Sequence, residues 1–184
     1  MSNDVEISDA KWFIAECKPT RERVIRKKLE KVYDVYVPCQ TETHVYASRN
    51  RREVEKIIIP GLVFIRTTEA DLWNILLAHS DIYRFMINRL ASDLKKGKRV
   101  FAYITDAEMQ QLRYVLNNAP NPVKITTGML TLGQMVEITR GPLIGLRGEL
   151  AKIENAIYIV LKLEMGECHY IMTQISVQDV QPVS

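Results

Sequence analysis

Residues 132–150, Leu-Gly-Gln-Met-Val-Glu-Ile-Thr-Arg-Gly-Pro-Leu-Ile-Gly-Leu-Arg-Gly-Glu-Leu, decide the fold of the second half of the chain. Apolar and polar residues alternate over 136–139, which is the period-2 pattern of a strand with one buried face. Closely spaced glycines follow, and a proline comes directly after the first. Because glycine adopts positive φ without strain and proline fixes φ, the segment predicts a tight turn between two strands. The residues of this turn are Gly141, Pro142, Gly145 and Gly148.

Clustered glycines can also cradle phosphates, so this alternative needs a test. A phosphate loop follows a strand and opens a helix, and its Walker form ends in Gly-Lys-Ser/Thr. After Gly148 the apolar–polar alternation resumes through Ile153, and the Walker ending does not occur. The stretch therefore predicts a strand–turn–strand unit and argues against a nucleotide-binding loop.

The length of the chain and the distribution of its charges indicate how many domains it has. A chain of 184 residues with 47% hydrophobic content accommodates one large domain or two small ones. Residues 11–120 carry 20 Lys and Arg against 13 Asp and Glu, whereas residues 121–184 carry 5 against 6. A basic front and a nearly neutral back indicate two parts with different partners.

Cysteine spacing and hydropathy set the expected compartment. The three cysteines form no Cys-x-x-Cys pair, which argues against a disulfide framework and a zinc ribbon. The first ten residues are polar and acidic, and no apolar run reaches 18 residues. We expect a cytoplasmic protein that does not enter a membrane.

In residues 11–116 the spacing of apolar residues changes several times between the pattern of a strand and the pattern of a helix. Pro19 and Thr20 end a first apolar strand, which we expect to be covered on more than one face, and they offer an N-cap for a helix with a basic outer side. Two further helices begin at the capping-box patterns Thr68–Asp71 and Thr105–Glu108. This order predicts an α+β sandwich. The predicted strands cover 11–17, 33–47, 53–59, 62–65, 82–87 and 100–104, and the helices cover about 20–32, 68–78 and 105–116.

The back part is predicted to be all β. Residues 117–122, Asn-Asn-Ala-Pro-Asn-Pro, cannot continue a helix and predict a linker. Short strands beyond it, with glycine turns, predict a small β-barrel. These strands are expected at 134–139, 147–154, 156–163, 167–173 and 177–181, which gives domains at 10–118 and 131–184 joined by a linker at 119–130.

Residues that could carry catalysis are scarce. None of the three histidines lies in a nucleophile motif, and Cys168 and His169, being adjacent on a strand, would point to opposite faces. A metal site would have to recruit Cys17 or Cys39 from the other domain, whereas zinc ligands normally occur as closely spaced pairs. We therefore predict no enzyme activity, no cofactor and no metal.

These features together resemble the NusG family of transcription elongation factors. The turn at Arg140–Gly148 is similar to a KOW motif, and the Pro60–Gly61 turn between apolar runs, with Trp12 and Phe13 on the first strand, is similar to the NusG N-terminal domain. The resemblance covers residues 11–184. It implies an N-terminal αβ sandwich followed by an SH3-like KOW β-barrel in a monomeric protein.

The resemblance also implies partners for the N-terminal domain. Such proteins bind the clamp helices of RNA polymerase through exposed apolar groups, and they bridge to the opposite side of the cleft near Asp71–Asn74. Cations at the tip of the long hairpin would meet the non-template strand or the upstream duplex. The implied polymerase-binding residues are Trp12, Phe13, Ile59, Pro60, Leu62, Asp71 and Asn74. The implied nucleic-acid-binding residues are Arg49, Arg51, Arg52, Lys27 and Lys28.

For the KOW domain the resemblance implies a small-subunit ribosomal protein, termination factor Rho or RNA as partner, bound near Met165 and Gly166. The general factor usually has Phe-Gly-Arg where this chain has Glu164-Met165-Gly166-Glu167, which argues against Rho. The departure favours a specialised paralogue of the UpxY or RfaH type, which prevents termination on particular operons such as surface-polysaccharide loci. A general elongation factor, a ribosomal or RNA-binding KOW protein and an enzyme with a barrel appendage are the alternatives.

Overall fold

The computed structural model describes residues 9–45, 51–127, 131–166 and 168–183, the side chains at 43–45 and 51 excepted. The chain divides into two compact units. The first contains the residues up to Val37, Pro60–Asp106 and a short segment that begins at Glu164. The second contains Pro38–Ile59, Ala107–Leu163 and the segment from Cys168 onward.

The described residues form three α-helices and thirteen strands, which is the sheet-rich mixture of helices and strands that the sequence predicts. The helices are α1 (Glu22–Leu29), α2 (Leu72–Ala78) and α3 (Asp106–Asn118). The strands are β1 (Lys11–Cys17), β2 (Asp34–Tyr36), β3 (Cys39–Val45), β4 (Arg51–Ile57), β5 (Leu62–Thr67), β6 (Ile82–Phe85), β7 (Tyr103–Ile104), β8 (Lys124–Thr126), β9 (Leu132–Ile138), β10 (Arg147–Ile153), β11 (Ala156–Glu164), β12 (Cys168–Ile175) and β13 (Val180–Pro182).

The first unit is built on an antiparallel sheet. Its strands run in the order β2-β5-β1-β6, and β7 also pairs with β1. Strand β1 is therefore central, and its residues from Trp12 to Ala15 are all buried, which confirms the prediction that it is covered on more than one face.

Helix α1 belongs to this unit and buries Ile25 and Leu29. Its start differs from the prediction. Thr20 has a φ of +70° and does not cap the helix, and Arg21 occupies the N-cap position without a side-chain hydrogen bond. The predicted Thr20 cap is therefore wrong: Thr20 lies in the left-handed turn that redirects the chain after β1.

The second unit contains the predicted hairpin and a six-stranded sheet. Strands β3 and β4 pair antiparallel from Cys39–Ile57 to Val45–Arg51, as expected for a long hairpin. The sheet has the order β13-β9-β10-β11-β12-β8, and β9 to β13 lie close to the predicted positions. Strand β8 was not predicted: it pairs with β12 and lies within the segment expected to be a linker.

None of the helices among the described residues is both long enough and apolar enough to span a membrane.

Candidate partner-binding and nucleic-acid surfaces

The Pro60–Gly61 turn is anchored by a buried carboxylate. Gly61 has a φ of +79°, its amide donates to Glu22 Oε1 (2.7 Å), and its carbonyl accepts from the amide of Cys17 (2.8 Å). Burial raises the pKa of the Cys17 thiol to about 12, and the nearby carboxylates of Glu22, Asp81 and Glu16 add to the shift. Cys17 is thus a protonated core residue rather than a nucleophile.

Most of the apolar patch predicted from the resemblance is not exposed. Trp12 and Phe13 are each 2% exposed, and Ile59 and Leu62 are also buried. Of the five apolar residues, only Pro60 is exposed. The expectation that the other four form an accessible surface is wrong.

The contacts of β1 explain this burial. Trp12 Nε1 donates to Asp106 Oδ1 (2.7 Å), and the same carboxylate accepts two hydrogen bonds of 3.1 Å from Arg66. On the neighbouring position, the ring of Phe13 packs edge-on against Phe101 and Tyr103, with centroids 6.5 and 6.2 Å away. Trp12 and Phe13 are therefore core residues of the first unit and not part of an exposed apolar patch.

Helix α2 provides the exposed apolar surface that the sequence pattern did not predict. Helix α2 contains five large apolar side chains, but only Leu72 and Ile75 are buried, because a seven-residue helix presents only one narrow stripe to the core. Trp73 and Leu77, one turn apart, are 61% and 71% exposed. The predicted contact Asn74 is exposed between them. The signal was present in the sequence, since five large apolar residues in so short a helix cannot all be buried.

Asp71 lies at the start of the same helix. A 3₁₀ turn over Glu69–Asp71 precedes α2, so the capping-box pattern at Thr68 opens this turn and not the α-helix. Thr68 Oγ1 donates to Asp71 Oδ2 (3.4 Å), and Asp71 is half-buried. Asp71 and Asn74 thus share one short element with Trp73 and Leu77.

The predicted hairpin cations are only partly described. Arg49 lies outside the described residues, and Arg51 begins β4 but its side chain is not described. Arg52 follows on β4, opposite His44, and is exposed.

The cations of α1 are partly neutralised. Lys28 Nζ and Arg21 Nε each lie 3.4 Å from a carboxylate oxygen of Asp81. Burial opposes the ionisation of Asp81, but the hydrogen bond from Lys28 and the charge of Arg21 outweigh it and lower the pKa of this carboxyl. Lys27 is exposed on the outer face, whereas Lys28 already holds a carboxylate.

The glycine-rich turn joins β9 to β10 as predicted. The amide of Gly145 donates to Ile138 O (2.7 Å), and the amide of Ile138 donates to Leu146 O (2.9 Å), which closes the turn. Both Gly141 and Gly145 have positive φ. A cavity of about 480 Å³ lies beside this turn. Residues that line it include Ile138, Arg140, Pro142, Leu143, Ile175 and Asp179.

The predicted partner-binding pair between β11 and β12 is not an open surface. Met165 is fully buried, and Gly166 is half-buried with a φ of +81°. A Cβ on Gly166 would lie 2.7 Å from the carbonyl oxygen of Ile87, so the two backbones are in close contact. The side chain of Met165, one of the two residues predicted to bind the partner, therefore offers no accessible surface.

Among the described residues, no group of three or more His, Cys, Asp or Glu side chains is placed to hold a metal ion.

A family model and a solved structure agree with this architecture. The family model described as "Transcription termination factor nusG" matches residues 10–113. Among solved structures, "Domain interaction in Thermotoga maritima NusG" matches with a TM-score of 0.50 and 19% identity, over 97% of this chain and 99% of that chain. The MjSpt4:Spt5 complex in conformation A matches with a TM-score of 0.27 and 18% identity, over 94% of this chain and 98% of that chain. No curated protein matches the chain.

Proposed function

Because the chain belongs to the NusG family of transcription factors, we propose that it binds RNA polymerase through its N-terminal domain and modulates elongation without catalysing a reaction. The family match over residues 10–113 carries this proposal. The likeness of fold to the Thermotoga maritima NusG structure supports it over nearly the whole chain.

The polymerase contact is assigned to the outer side of α2 and its surroundings. Trp73 and Leu77 form an exposed apolar pair, and such groups are typical anchors of a protein interface. Asp71 and Asn74, which the family resemblance implies as contacts, are compatible with this role because Asp71 is half-buried and Asn74 is exposed. Trp12, Phe13 and Leu62 are buried residues of β1 and β5, and Ile59 is buried as well, so these four residues are not assigned to the contact.

A pull-down with purified core RNA polymerase tests this assignment. Leu77→Asp places a charge in the apolar pair and is expected to weaken polymerase binding by at least about tenfold, as for a central interface residue. Val32→Asp is the matched control, because Val32 is equally exposed and apolar but lies after α1. Equal binding by the two variants would remove α2 from the interface, and no capture of polymerase by the unchanged chain would favour the ribosomal alternative.

The C-terminal six-stranded sheet is proposed to be the KOW β-barrel, which recruits a second partner. The cavity beside Gly141 and Pro142 combines apolar side chains with Arg140 and Asp179, which suits a protein segment. A small-subunit ribosomal protein is the preferred partner, because the Glu164–Glu167 turn lacks the aromatic residue and the cation expected for Rho. Titrating that ribosomal protein into labelled full-length chain should perturb NMR signals of residues 138–148.

The Glu164–Glu167 turn, which differs from the Phe-Gly-Arg usual in the general factor, also supports antitermination on particular operons, such as surface-polysaccharide loci, over a general elongation role. RNA sequencing of a deletion strain tests this: read-through should fall on a few long operons. A uniform change across the genome would favour the housekeeping role instead.

A further inference from the structure

A cationic cavity opens beside β6 in the first unit, with a volume of about 290 Å³. The charged half of its lining comes from arginines, of which Arg84 is oriented by an ion pair with Glu16 (2.6 Å). The apolar half includes Met86, Ile87 and Leu94, and the side chain of Leu94 is largely exposed. A ligand that fits this cavity therefore combines negative charge with apolar groups.

The loop that follows β6 adds further positive charge around the cavity. Residues 84–99 contain six cations and one acid, Asp93. The amide of Asn88 donates to Val100 O (2.8 Å), and the amide of Val100 donates to Ser92 Oγ (2.9 Å), which holds the loop in a defined conformation. The loop therefore loses little conformational entropy when a ligand binds to its cations. The six cations are Arg84, Arg89, Lys95, Lys96, Lys98 and Arg99.

The first residues of the chain have the complementary composition. Residues 1–10 contain three acids and neither Lys nor Arg, and their central stretch is Asp4-Val5-Glu6-Ile7. Successive side chains of an extended segment point to opposite sides. In an extended conformation this stretch would present two carboxylates to one side and two apolar groups to the other. The sequence of the stretch thus matches the two halves of the cavity.

The topology of the sheet brings the start of the chain near the cavity. The amide of Met86 donates to Ile14 O (2.9 Å), and β6 runs antiparallel to β1, so the chain beyond β6 runs toward the amino end of β1. Residues 1–8 lie outside the described part of the chain, and Asp9 leads directly into β1. Strand geometry puts Ile87 roughly 15 Å from Asp9, and five extended residues span about 17 Å, so the acidic stretch is long enough to reach the cavity.

We propose that the stretch Asp4–Ile7 occupies this cavity in the free protein, with Val5 and Ile7 against the apolar lining and the two carboxylates toward the cations. Because the stretch is tethered to β1, its effective concentration at the cavity is in the millimolar range, and even a weak contact is populated. The carboxylates then reduce the positive field of the loop. Any other anion has to displace the stretch before it can bind there, so the start of the chain is an intramolecular competitor for the cavity.

This contact goes beyond the proposed function. It uses no residue of α2 and needs no polymerase. Failure of the polymerase proposal would leave the contact standing, and its own failure would leave the polymerase interface unaffected.

Zero-length carbodiimide crosslinking of the full-length chain, read by mass spectrometry, tests the contact directly. Asp4 and Glu6 should form crosslinks to the lysines of residues 95–98 about tenfold more often than to Lys27 and Lys31, because the field of the cavity concentrates the carboxylates there. The two comparison lysines are also exposed. In a mixture of ¹⁵N-labelled and unlabelled chains, the crosslinks should join residues of one chain. Equal yields for the two groups of lysines, or crosslinks mainly between copies, would overturn the proposal.

The apolar half of the contact is tested by a variant that keeps every charge. Val5→Ser with Ile7→Ser should lower the yield of crosslinks to residues 95–98 about tenfold, because two apolar side chains are no longer buried against the lining. An unchanged yield would mean that charge alone attracts the segment, which would contradict a fitted contact.

The charged half is tested by reversing the cations of the cavity. Arg89→Glu with Arg99→Glu, both at exposed residues, should also lower the yield about tenfold, since the cavity then repels the carboxylates. Arg140→Glu with Lys152→Glu is the matched control, because it makes the same charge change at two exposed residues of the second unit. The control should leave the yield unchanged. Equal losses in the two variants would show that the net charge of the chain, and not the cavity, attracts the segment.

Discussion

At the scale of single residues, the buried thiol of Cys17 makes the stability of the protein depend on pH. Its pKa is raised from an ordinary value of 9.0 to about 12, first by burial and then by the carboxylates of Glu22, Asp81 and Glu16. A thiol with a raised pKa in the folded state contributes stability that is complete below pH 9 and is lost as the pH rises toward 12, because only the unfolded chain ionises in that window.

We therefore expect the free energy of unfolding to fall by up to about 1.4 kcal/mol per pH unit above pH 9 through this thiol alone. Urea unfolding at several pH values, with Cys17→Ala as the reference, isolates the effect. Tyr33 and Tyr170 also have raised pKa values, but they titrate in both proteins and cancel in the difference. Parallel pH profiles for the two proteins would contradict the expectation.

The glycines of the β9–β10 turn show what the sequence could and could not predict at this scale. Their clustering was enough to predict the turn. Gly141 needs glycine because its φ is +87°, whereas at Gly148 the requirement is space: a Cβ would lie 2.7 Å from Val160 O. Val160 O belongs to β11, which the glycine spacing does not reveal. The sequence pattern could therefore not show which glycine is required for its positive φ and which for lack of space.

At the scale of elements, Gln40 connects the hairpin to the segment that precedes β8. Its Nε2 donates to Asn121 O (3.1 Å) and Ala119 O (3.4 Å), and the amide of Val123 donates to its Oε1 (2.9 Å). Asn121 also donates to Gln174 O on β12 (3.1 Å). Part of the predicted linker is therefore fixed by side-chain hydrogen bonds.

Gln40→Leu should destabilise the chain by about 1–3 kcal/mol, because it leaves the buried amide of Val123 and two partly buried carbonyl groups without their partner. Limited proteolysis should then cut faster between residues 117 and 122. Gln178→Leu, a change at an exposed position, is the control and should alter neither measurement. Unchanged cleavage in Gln40→Leu would show that the Gln40 hydrogen bonds do not restrain the segment.

The elements that were predicted well are those with a strong local pattern. Strand β1 has the predicted limits, since the apolar run from Trp12 to Ala15, followed closely by Pro19, is typical of a buried strand. The predictions that failed concern residues whose contacts lie far away in the sequence. The burial of Trp12 requires Asp106, and the order of the linker requires Gln40, some 80 residues away in sequence, and neither pairing leaves a periodic signal.

At the scale of the whole molecule, the uneven charge determines where nucleic acid should bind. Residues 11–120 hold 20 of the 25 cations, and residues 121–184 have one more acid than cations. In a transcription complex with a DNA bubble, photo-crosslinks to the non-template strand should therefore fall on the hairpin and the first unit. Few should fall on β9–β13.

Changing Arg49, Arg51 and Arg52 together to Ala should remove most of the hairpin crosslinks, because these cations are proposed to neutralise phosphates at its tip. Arg140, Arg147 and Lys152 changed together to Ala remove the same charge from the C-terminal sheet and should leave the hairpin crosslinks intact. Peptide mapping by mass spectrometry at low and high salt provides the measurement, and the hairpin signal should weaken as salt rises. Crosslinks concentrated on β9–β13, and absent only in the second variant, would mean that the C-terminal sheet binds nucleic acid as in the ribosomal alternative.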